Sequence, residues 1–421
     1  MLAIMDAYKS GLISRKFLMR NIFAGIVVGI LASPLAIAFA IASGAQPEQG
    51  LYTAIFSSVI IAIFGGTRVQ IAGPSGTLVM MLAQVAIRHG LEGLQLVSML
   101  AGFFLIIFAA FRLGSFINLI PTNVIHAFSF GMGVSIFVNQ FKDFFGLKLS
   151  IPSSVPFFNK LILIFQNIHT YSINATILSI LGVMILVLCA RISKNIPAPL
   201  AALSVITILN MTLGLRDVAT IKNAYGGIPQ MLPIFISPSF ESEMFRQLIW
   251  PSFSIAVLSS IETLLSASAT DKYTGQRHRS NQELFALGLS NIISSFWGGF
   301  AATGTLTRTM TSVKCGANSP IAALAHALMI IAVLFILAPM ANAIPLCALA
   351  SILYVVAFNM TNLKFLIAYL NQAKRYQVFI FMATFLATLF LDLSKAIFIG
   401  VALTFIEPYI YKFFKRLKEI F

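Results

Sequence analysis

The sequence predicts an all-α polytopic membrane protein of about fourteen transmembrane spans, with two short helices that each follow a short extended segment. The first observation is composition: of 421 residues, 58% are hydrophobic and 10% are charged, whereas soluble domains carry about 25% charged residues. The second is a pair of polar, glycine-containing interruptions of the apolar sequence, at 70–77 and 301–309. The third is that these interruptions occupy corresponding positions in the two halves of the chain, which predicts an internal repeat.

Apolar runs define the predicted spans, because crossing a bilayer requires about 20 apolar residues and paired shorter runs are typical of interrupted helices. The predicted spans are 21–43, 48–65, 74–87, 94–113, 116–139, 172–190, 198–213, 249–270, 281–300, 305–315, 319–340, 343–358, 376–391 and 395–413. The predicted organisation is an N-terminus (1–20), a first repeat (21–213), a connecting segment (214–248), a second repeat (249–413) and a tail (414–421).

Charge distribution predicts the orientation of the chain. There are 28 Lys and Arg residues against 13 Asp and Glu, and with fourteen spans most of the basic residues share one side of the membrane with both termini. The positive-inside rule makes that side the cytoplasm, and we expect a bacterial inner (plasma) membrane protein. Because the basic residues occupy short loops rather than one continuous face, the expected partner is the lipid bilayer and not nucleic acid.

The two interruptions predict the functional centre. Irregular backbone at membrane depth is tolerated where it is buried in protein or lines a cavity, so we expect the two extended segments to pair. The helices that begin near Ser75 and Thr305 would then direct their N-termini at a common point, which favours an anion. Gly73 and Gly304 would keep this space clear, and a leucine at position 304 is expected to fill the anion position.

Two charged residues fall within predicted membrane segments. A cation such as Arg308 costs at least about 2.5–3.5 kcal/mol at mid-membrane and requires a partner. That partner is either an anionic substrate or a structural one, a carboxylate or backbone carbonyls. Glu262, in the eighth predicted span, is suited to carry a proton or to neutralise Arg308, and the two roles are compatible.

The sequence contains no pattern typical of catalysis. There is no nucleophile–base arrangement, phosphate-binding loop or metal-ligand spacing, and the three cysteines (Cys189, Cys315 and Cys347) form no Cys-X-X-Cys pair. We therefore predict that the protein is not an enzyme and requires no cofactor or metal.

Several motifs resemble those of the sulfate permease (SulP) family of anion transporters. They are PLAIAFAIASG at 34–44, GLYTA at 50–54, GGTRVQIAGPSG at 65–76, SNQEL at 280–284 and ATGTLTRT at 302–309. The resemblance implies two inverted seven-span repeats, with spans 1–4 and 8–11 in a substrate-carrying core domain and spans 5–7 and 12–14 in a gate domain. Most members also carry a cytoplasmic STAS domain; the sequence ends soon after the last predicted span, so we expect a member without it.

The resemblance also implies site residues. The positions that match the family's anion site are Phe39, Thr307 and Arg308. The positions that match the sodium site of its sodium-coupled bicarbonate branch are Glu262, Ser266, Gly304 and Leu306. Here a glutamate replaces the aspartate and Leu306 offers no side-chain oxygen, which favours coupling to protons, or exchange, over sodium.

The predicted function is secondary active transport of a small anion (sulfate, bicarbonate, dicarboxylate or chloride) by alternating access, as a monomer or homodimer. One alternative is an anion channel or voltage-responsive protein on the same scaffold. Another is a nucleobase permease, although such sites usually place carboxylates at both central positions, and Arg308 favours a negative substrate.

Overall fold

A computed structural model describes residues 3–115, 122–149, 157–192, 197–238, 241–336 and 338–391, together with 395–396, 399–400, 402–403 and 406. Within these residues, seven helices are long and apolar enough to cross a membrane, and four shorter apolar helices have 10–17 residues. The predicted all-α architecture is confirmed. The last predicted span, 395–413, lies largely outside the described residues, and the tail 414–421 lies wholly outside them.

The first half of the chain contains nine helices within its described residues. They are α1 (Ala3–Lys9), α2 (Arg15–Ala42), α3 (Pro47–Phe64), α4 (Gly76–Ala110), α5 (Thr122–Asn139), α6 (Phe141–Phe145), α7 (Phe157–Gln166), α8 (Ile173–Ile192) and α9 (Ala198–Leu213). The strand β1 (Ala72–Gly73) lies immediately before α4, and a 3₁₀ turn (Ile168–Thr170) separates α7 from α8.

Helix α4 combines two spans that the sequence separates. The apolar runs at 74–87 and 94–113 belong to one helix, with a kink at Gly90, whose φ is +61° and ψ is −157°. Glycine adopts this positive φ without the steric penalty that a Cβ would impose. The polar residues between the two runs therefore lie at a kink and not in a loop.

The second half repeats this plan. After α10 (Ile221–Tyr225) in the connecting segment, its helices are α11 (Ser242–Thr274), α12 (Ser280–Phe296), α13 (Leu306–Lys314), α14 (Ile321–Ile336), α15 (Ala338–Ala341), α16 (Leu346–Thr361), α17 (Leu363–Gln372) and α18 (Arg375–Phe390). The strand β2 (Thr303–Gly304) precedes α13. Helix α17 was not predicted; it begins after Asn362, which has a φ of +38°, and has no fully buried residue.

Helices of the two halves pack against each other at the centre of the molecule. Helix α4 of the first half packs against α11 and α12, and α14 of the second half packs against α2 and α3. Such reciprocal packing is the arrangement that two repeats related by a pseudo-two-fold axis produce. A second group of helices is built around α16, which packs against α5 and α8, while α18 packs against α5.

The strands β1 and β2 form an antiparallel pair at the centre. Ala72 pairs with Gly304 and Gly73 pairs with Thr303, and all four residues are buried. Side chains satisfy backbone groups that the short pair leaves open, since Thr263 Oγ1 accepts from Gly304 N at 2.8 Å. The predicted pairing of the two interruptions is confirmed, and α4 and α13 begin from the same point.

Candidate functional site

A cavity of about 520 Å³ lies in front of the N-termini of α4 and α13. One wall comes from α2, from the first turns of α4 and α13, and from Glu262 of α11; the opposite wall comes from α8, α9 and α16. The polar lining residues of the first wall are Ser75, Thr77, Glu262, Thr305, Thr307, Arg308 and Thr311. The opposite wall is apolar except for Asn359, so polar groups concentrate at the helix starts.

The cavity extends toward one end of the bundle. Its lining includes Ala190 near the end of α8, Ala198 at the start of α9, and Met360 near the end of α16. These helix ends lie on the side predicted to be cytoplasmic. The structure therefore has a cavity that reaches from the central strand pair toward that side.

Arg308 lies in the first turn of α13 and is only 6% exposed. Its Nη2 donates to the carbonyl oxygen of Pro74 at 3.0 Å, just before the start of α4. Its Nη1 is buried and has no hydrogen-bond partner among the described residues. One of the structural partners expected for Arg308, a backbone carbonyl, is thus present, but the guanidinium retains an unused donor beside the cavity.

The N-terminus of α13 is open. Thr305 occupies the N-cap position, yet its side chain makes no capping hydrogen bond, and its Oγ1 has no partner in the described part of the chain. The first N–H groups of a helix have no acceptor within the helix and carry the positive end of its dipole. Together with Arg308, this helix start presents donors and positive charge to the cavity.

Glu262 is held by three hydroxyl groups. Ser75 Oγ donates to Oε1 at 2.7 Å and lies 3.0 Å from Oε2, and Thr303 Oγ1 donates to Oε2 at 3.0 Å. Thr77 Oγ1 also contacts Oε2 closely. Because a hydroxyl can donate to a carboxylate or accept from a carboxylic acid, this set can satisfy Glu262 in either protonation state. No ion pair joins Glu262 to Arg308 within the described residues.

The other predicted site residues separate into two groups. Phe39 of α2 lines the cavity at 7% exposure, as do Ser75, Thr305 and Thr307. Gly73, Gly304 and Ser266 do not line it. Gly73 lies beneath the guanidinium, since a Cβ there would overlap Arg308 Nη1.

A side chain at position 304 would not point toward the predicted anion position. A Cβ at this position would overlap Nε2 of Gln70 and press on Thr263. The expectation that a leucine at 304 would fill the anion position is therefore wrong, because the side chain would first displace Gln70. Ser266 belongs to the same region, where its hydroxyl donates to Gln70 Oε1 at 3.4 Å.

Thr77 and Thr303 were missed as partners of Glu262. Both lie within the interruptions, where hydroxyl residues recur beside Gly and Pro, and that recurrence was the available signal. The apolar wall from α16 was also missed, because nothing in an apolar helix marks which face borders a cavity. No cluster of three or more His, Cys, Asp or Glu residues suited to a metal occurs in the described part of the chain.

Comparisons with known proteins agree with this architecture. The profile of the sulfate permease family matches residues 18–384. The chain is 36% identical over 400 residues to "Putative sulfate transporter YvdB" of Bacillus subtilis, covering 95% of this chain and 74% of that protein. It is 29% identical over 391 residues to the bicarbonate transporter BicA of Picosynechococcus, covering 90% of this chain and 68% of that protein.

A solved structure shares the fold. The transmembrane domain of a cyanobacterial bicarbonate transporter, BicA, aligns with a TM-score of 0.81 and 26% identity, covering 92% of this chain and 98% of that one. Structure and sequence therefore agree along nearly the whole chain, and the protein is an integral membrane protein that belongs to the sulfate permease family.

Proposed function

We propose that the protein is a secondary active transporter of a small anion. The observation that carries this proposal is Arg308, a buried cation with an unused Nη1 donor beside a cavity at the open N-terminus of α13. A buried cation at membrane depth is a functional-site hypothesis by default, and helix N-termini favour anions. The anion would bind between this helix start and Phe39, with Thr305 and Thr307 as further hydrogen-bonding groups.

Sulfate, bicarbonate, chloride and small dicarboxylates are the proposed substrate class. The names of the relatives point to sulfate and bicarbonate, and the cavity volume of about 520 Å³ accommodates each of these anions. The substrate would cross unchanged, so we propose no catalytic reaction. We further propose a location in the bacterial inner membrane with cytoplasmic termini, as a monomer or homodimer.

Glu262 is the proposed proton carrier. It borders the same cavity as Arg308, so a proton on Glu262 would travel with the anion and partly cancel its charge. A sodium site is less favoured, because Leu306 offers no oxygen and the Ser266 hydroxyl is directed at Gln70.

Transport would follow from relative movement of two helix groups. The proposed core contains β1, β2 and the helices α2–α4 and α11–α14, and the proposed gate contains the groups around α5, α8, α9 and α16. The cavity has one wall from each group, so a displacement of the core against the gate would close it toward one side and open it toward the other.

The test is uptake by purified protein in proteoliposomes. We expect saturable uptake of labelled sulfate, bicarbonate, chloride or a dicarboxylate, stimulated when the outside is more acidic. Empty liposomes and an Arg308→Ala protein provide the controls. A non-saturating conductance would overturn the carrier mechanism, uptake of nucleobases alone would overturn the anion site, and stimulation by sodium at fixed pH without a proton response would overturn the coupling.

A further inference from the structure

A second buried polar cluster lies beside β1 and outside the cavity lining. Ser58 of α3 and His326 of α14 are both 0% exposed. Ser58 Oγ lies 2.9 Å from the carbonyl oxygen of Ala72 and 3.0 Å from His326 Nδ1. The mechanism proposed above gives neither side chain a role.

The hydrogen bonds define the tautomer of His326. Ile71 O accepts from Thr305 N across the strand pair, and successive carbonyls of an extended strand point to opposite sides, so Ala72 O faces Ser58. A buried carbonyl requires a donor, and Ser58 has a single hydroxyl proton to give. His326 Nδ1 must then donate to Ser58 Oγ, which leaves a lone pair on Nε2.

Two buried polar atoms near β1 are complementary. His326 Nε2 is an acceptor and Arg308 Nη1 is a donor, and neither has a hydrogen-bond partner among the described residues. The guanidinium rests on Gly73, next to Ala72, whose carbonyl oxygen accepts from Ser58. Leaving either group unsatisfied costs free energy, so pairing them would stabilise both.

We propose that His326 is a positioning residue for the anion site and acts through Arg308. Its neutral Nε2 accepts a hydrogen bond from Arg308 Nη1, directly after a small side-chain rotation or through one buried water. Nη1 carries two N–H groups, so one donates to His326 while the other faces the anion, and the guanidinium stays in place over Gly73 when the anion binds. This inference rests on the proposed function.

Two substitutions of His326 separate its two nitrogen atoms. The amide nitrogen of asparagine occupies the place of Nδ1, so His326→Asn keeps the bond to Ser58 and removes the acceptor at Nε2. Glutamine extends further, so His326→Gln places an amide oxygen near Nε2. With labelled sulfate, bicarbonate and chloride as probes, we expect His326→Asn to raise KM about ten-fold or more, as for loss of a hydrogen bond to a charged group, with little change in the maximal rate.

We expect His326→Gln to restore KM close to the wild-type value. Thermal unfolding of both variants monitors the fold. A merely structural histidine would instead make both variants less stable and slower with KM unchanged, and that result would overturn the inference.

A second measurement does not depend on transport. Nitrogen-15 NMR of protein labelled in the histidine rings, with His326→Asn used for assignment, is expected to show His326 protonated on Nδ1 and not on Nε2. The opposite tautomer would overturn the inference. Absence of uptake of these three anions and of a small dicarboxylate by the wild-type protein would refute the proposed function, whereas wild-type uptake with a normal KM in His326→Asn refutes this inference alone.

Discussion

The two helix starts that meet at the strand pair share a backbone plan but differ in chemistry. At the first, Ser75 accepts from the backbone N–H of Thr77, and the hydroxyls of both residues contact Glu262. At the second, Thr305 leaves the start of α13 uncapped, and Arg308 follows in the first turn. The first helix start thus holds a carboxyl group, and the second presents a cation at a helix start without a side-chain cap.

The second half of the chain also contacts the first helix start twice. Glu262 reaches the start of α4 from α11, and Arg308 reaches the Pro74 carbonyl from α13. The two repeats place the starts of α4 and α13 at equivalent positions, and a few different side chains give the two helix starts different chemistry. We interpret the second start as the anion site and the first as the proton site.

Removing Arg308 is expected to have the largest effect. Arg308→Ala should lower anion uptake at least about 30-fold, the scale for truncating one member of a buried charged contact, while the protein remains folded. Radiolabelled uptake measures the loss, and thermal unfolding with size-exclusion chromatography checks the fold. Arg308→Lys keeps the charge without the planar donor pair, so its anion uptake should lie between that of the wild-type protein and that of Arg308→Ala. Uptake like wild type in a well-folded Arg308→Ala protein would remove the arginine from the anion site.

Neutralising Glu262 should separate binding from coupling. Glu262→Gln resembles the protonated carboxyl and can still bond to the hydroxyls of Ser75, Thr77 and Thr303. We expect anion binding and anion–anion exchange to survive, while accumulation driven by a proton gradient is lost. In wild-type protein, uptake should rise as the outside pH falls, because a proton enters with the anion. If Glu262→Gln still accumulates anion in response to a proton gradient, the first helix start is not the proton site.

The two glycines of the strand pair allow a matched comparison. In Gly73→Ala the new Cβ would displace the Arg308 guanidinium, and in Gly304→Ala it would displace Gln70. Overpacking of this kind costs about 1–3 kcal/mol, so both variants should lose stability in thermal unfolding. Only Gly73→Ala should also raise the KM for the anion. An equal rise of KM in both variants would show that Gln70 and Arg308 influence the anion site alike.

Much of this architecture could be predicted from the sequence. Length and apolarity located most spans within a few residues, since the bilayer dictates both properties. Gly73 and Gly304 indicated the strand pair, because backbone that leaves a helix inside a membrane must find polar partners in the protein. The predicted places of Phe39, Ser75, Thr305, Thr307, Arg308 and Glu262 on one cavity agree with the structure, but their roles stay predictions.

Side-chain direction could not be predicted from the sequence. A side chain at position 304 would point toward Gln70. A strand of two residues is too short for an alternating sequence pattern to reveal that direction. The polar residues around Gly90 separate the predicted spans 74–87 and 94–113, because composition alone does not distinguish a kink within one helix from a loop between two. The acceptor role of His326 Nε2 depends on Ser58 and Ala72, which lie far from it in the chain and come together only in the fold.

The smallest expected effect concerns an ion pair that links the N-terminal helix α1 to the segment before the first helix start. Arg68, shortly before β1, pairs with Asp6 of α1 at 2.6 Å and donates to Ser10 Oγ at 2.6 Å. The hydrogen bond from Arg68 holds the pKa of Asp6 below its ordinary value of 3.8. A lowered folded-state pKa means that the pair stabilises the protein above that ordinary value, and that this stabilisation is lost as pH falls through the lowered pKa.

Asp6→Asn should therefore reduce the free energy of unfolding near neutral pH by up to about 1 kcal/mol, the range for a partly exposed ion pair. The difference from wild type should disappear in acid, where Asp6 is itself neutral. Asp217→Asn is a suitable control, because that carboxylate accepts from Ser172 and Asn174, away from either helix start. The KM for the anion should stay at the wild-type value in both variants. A raised KM in Asp6→Asn alone would mean that α1 influences the first helix start, where Glu262 lies, through Arg68 and β1.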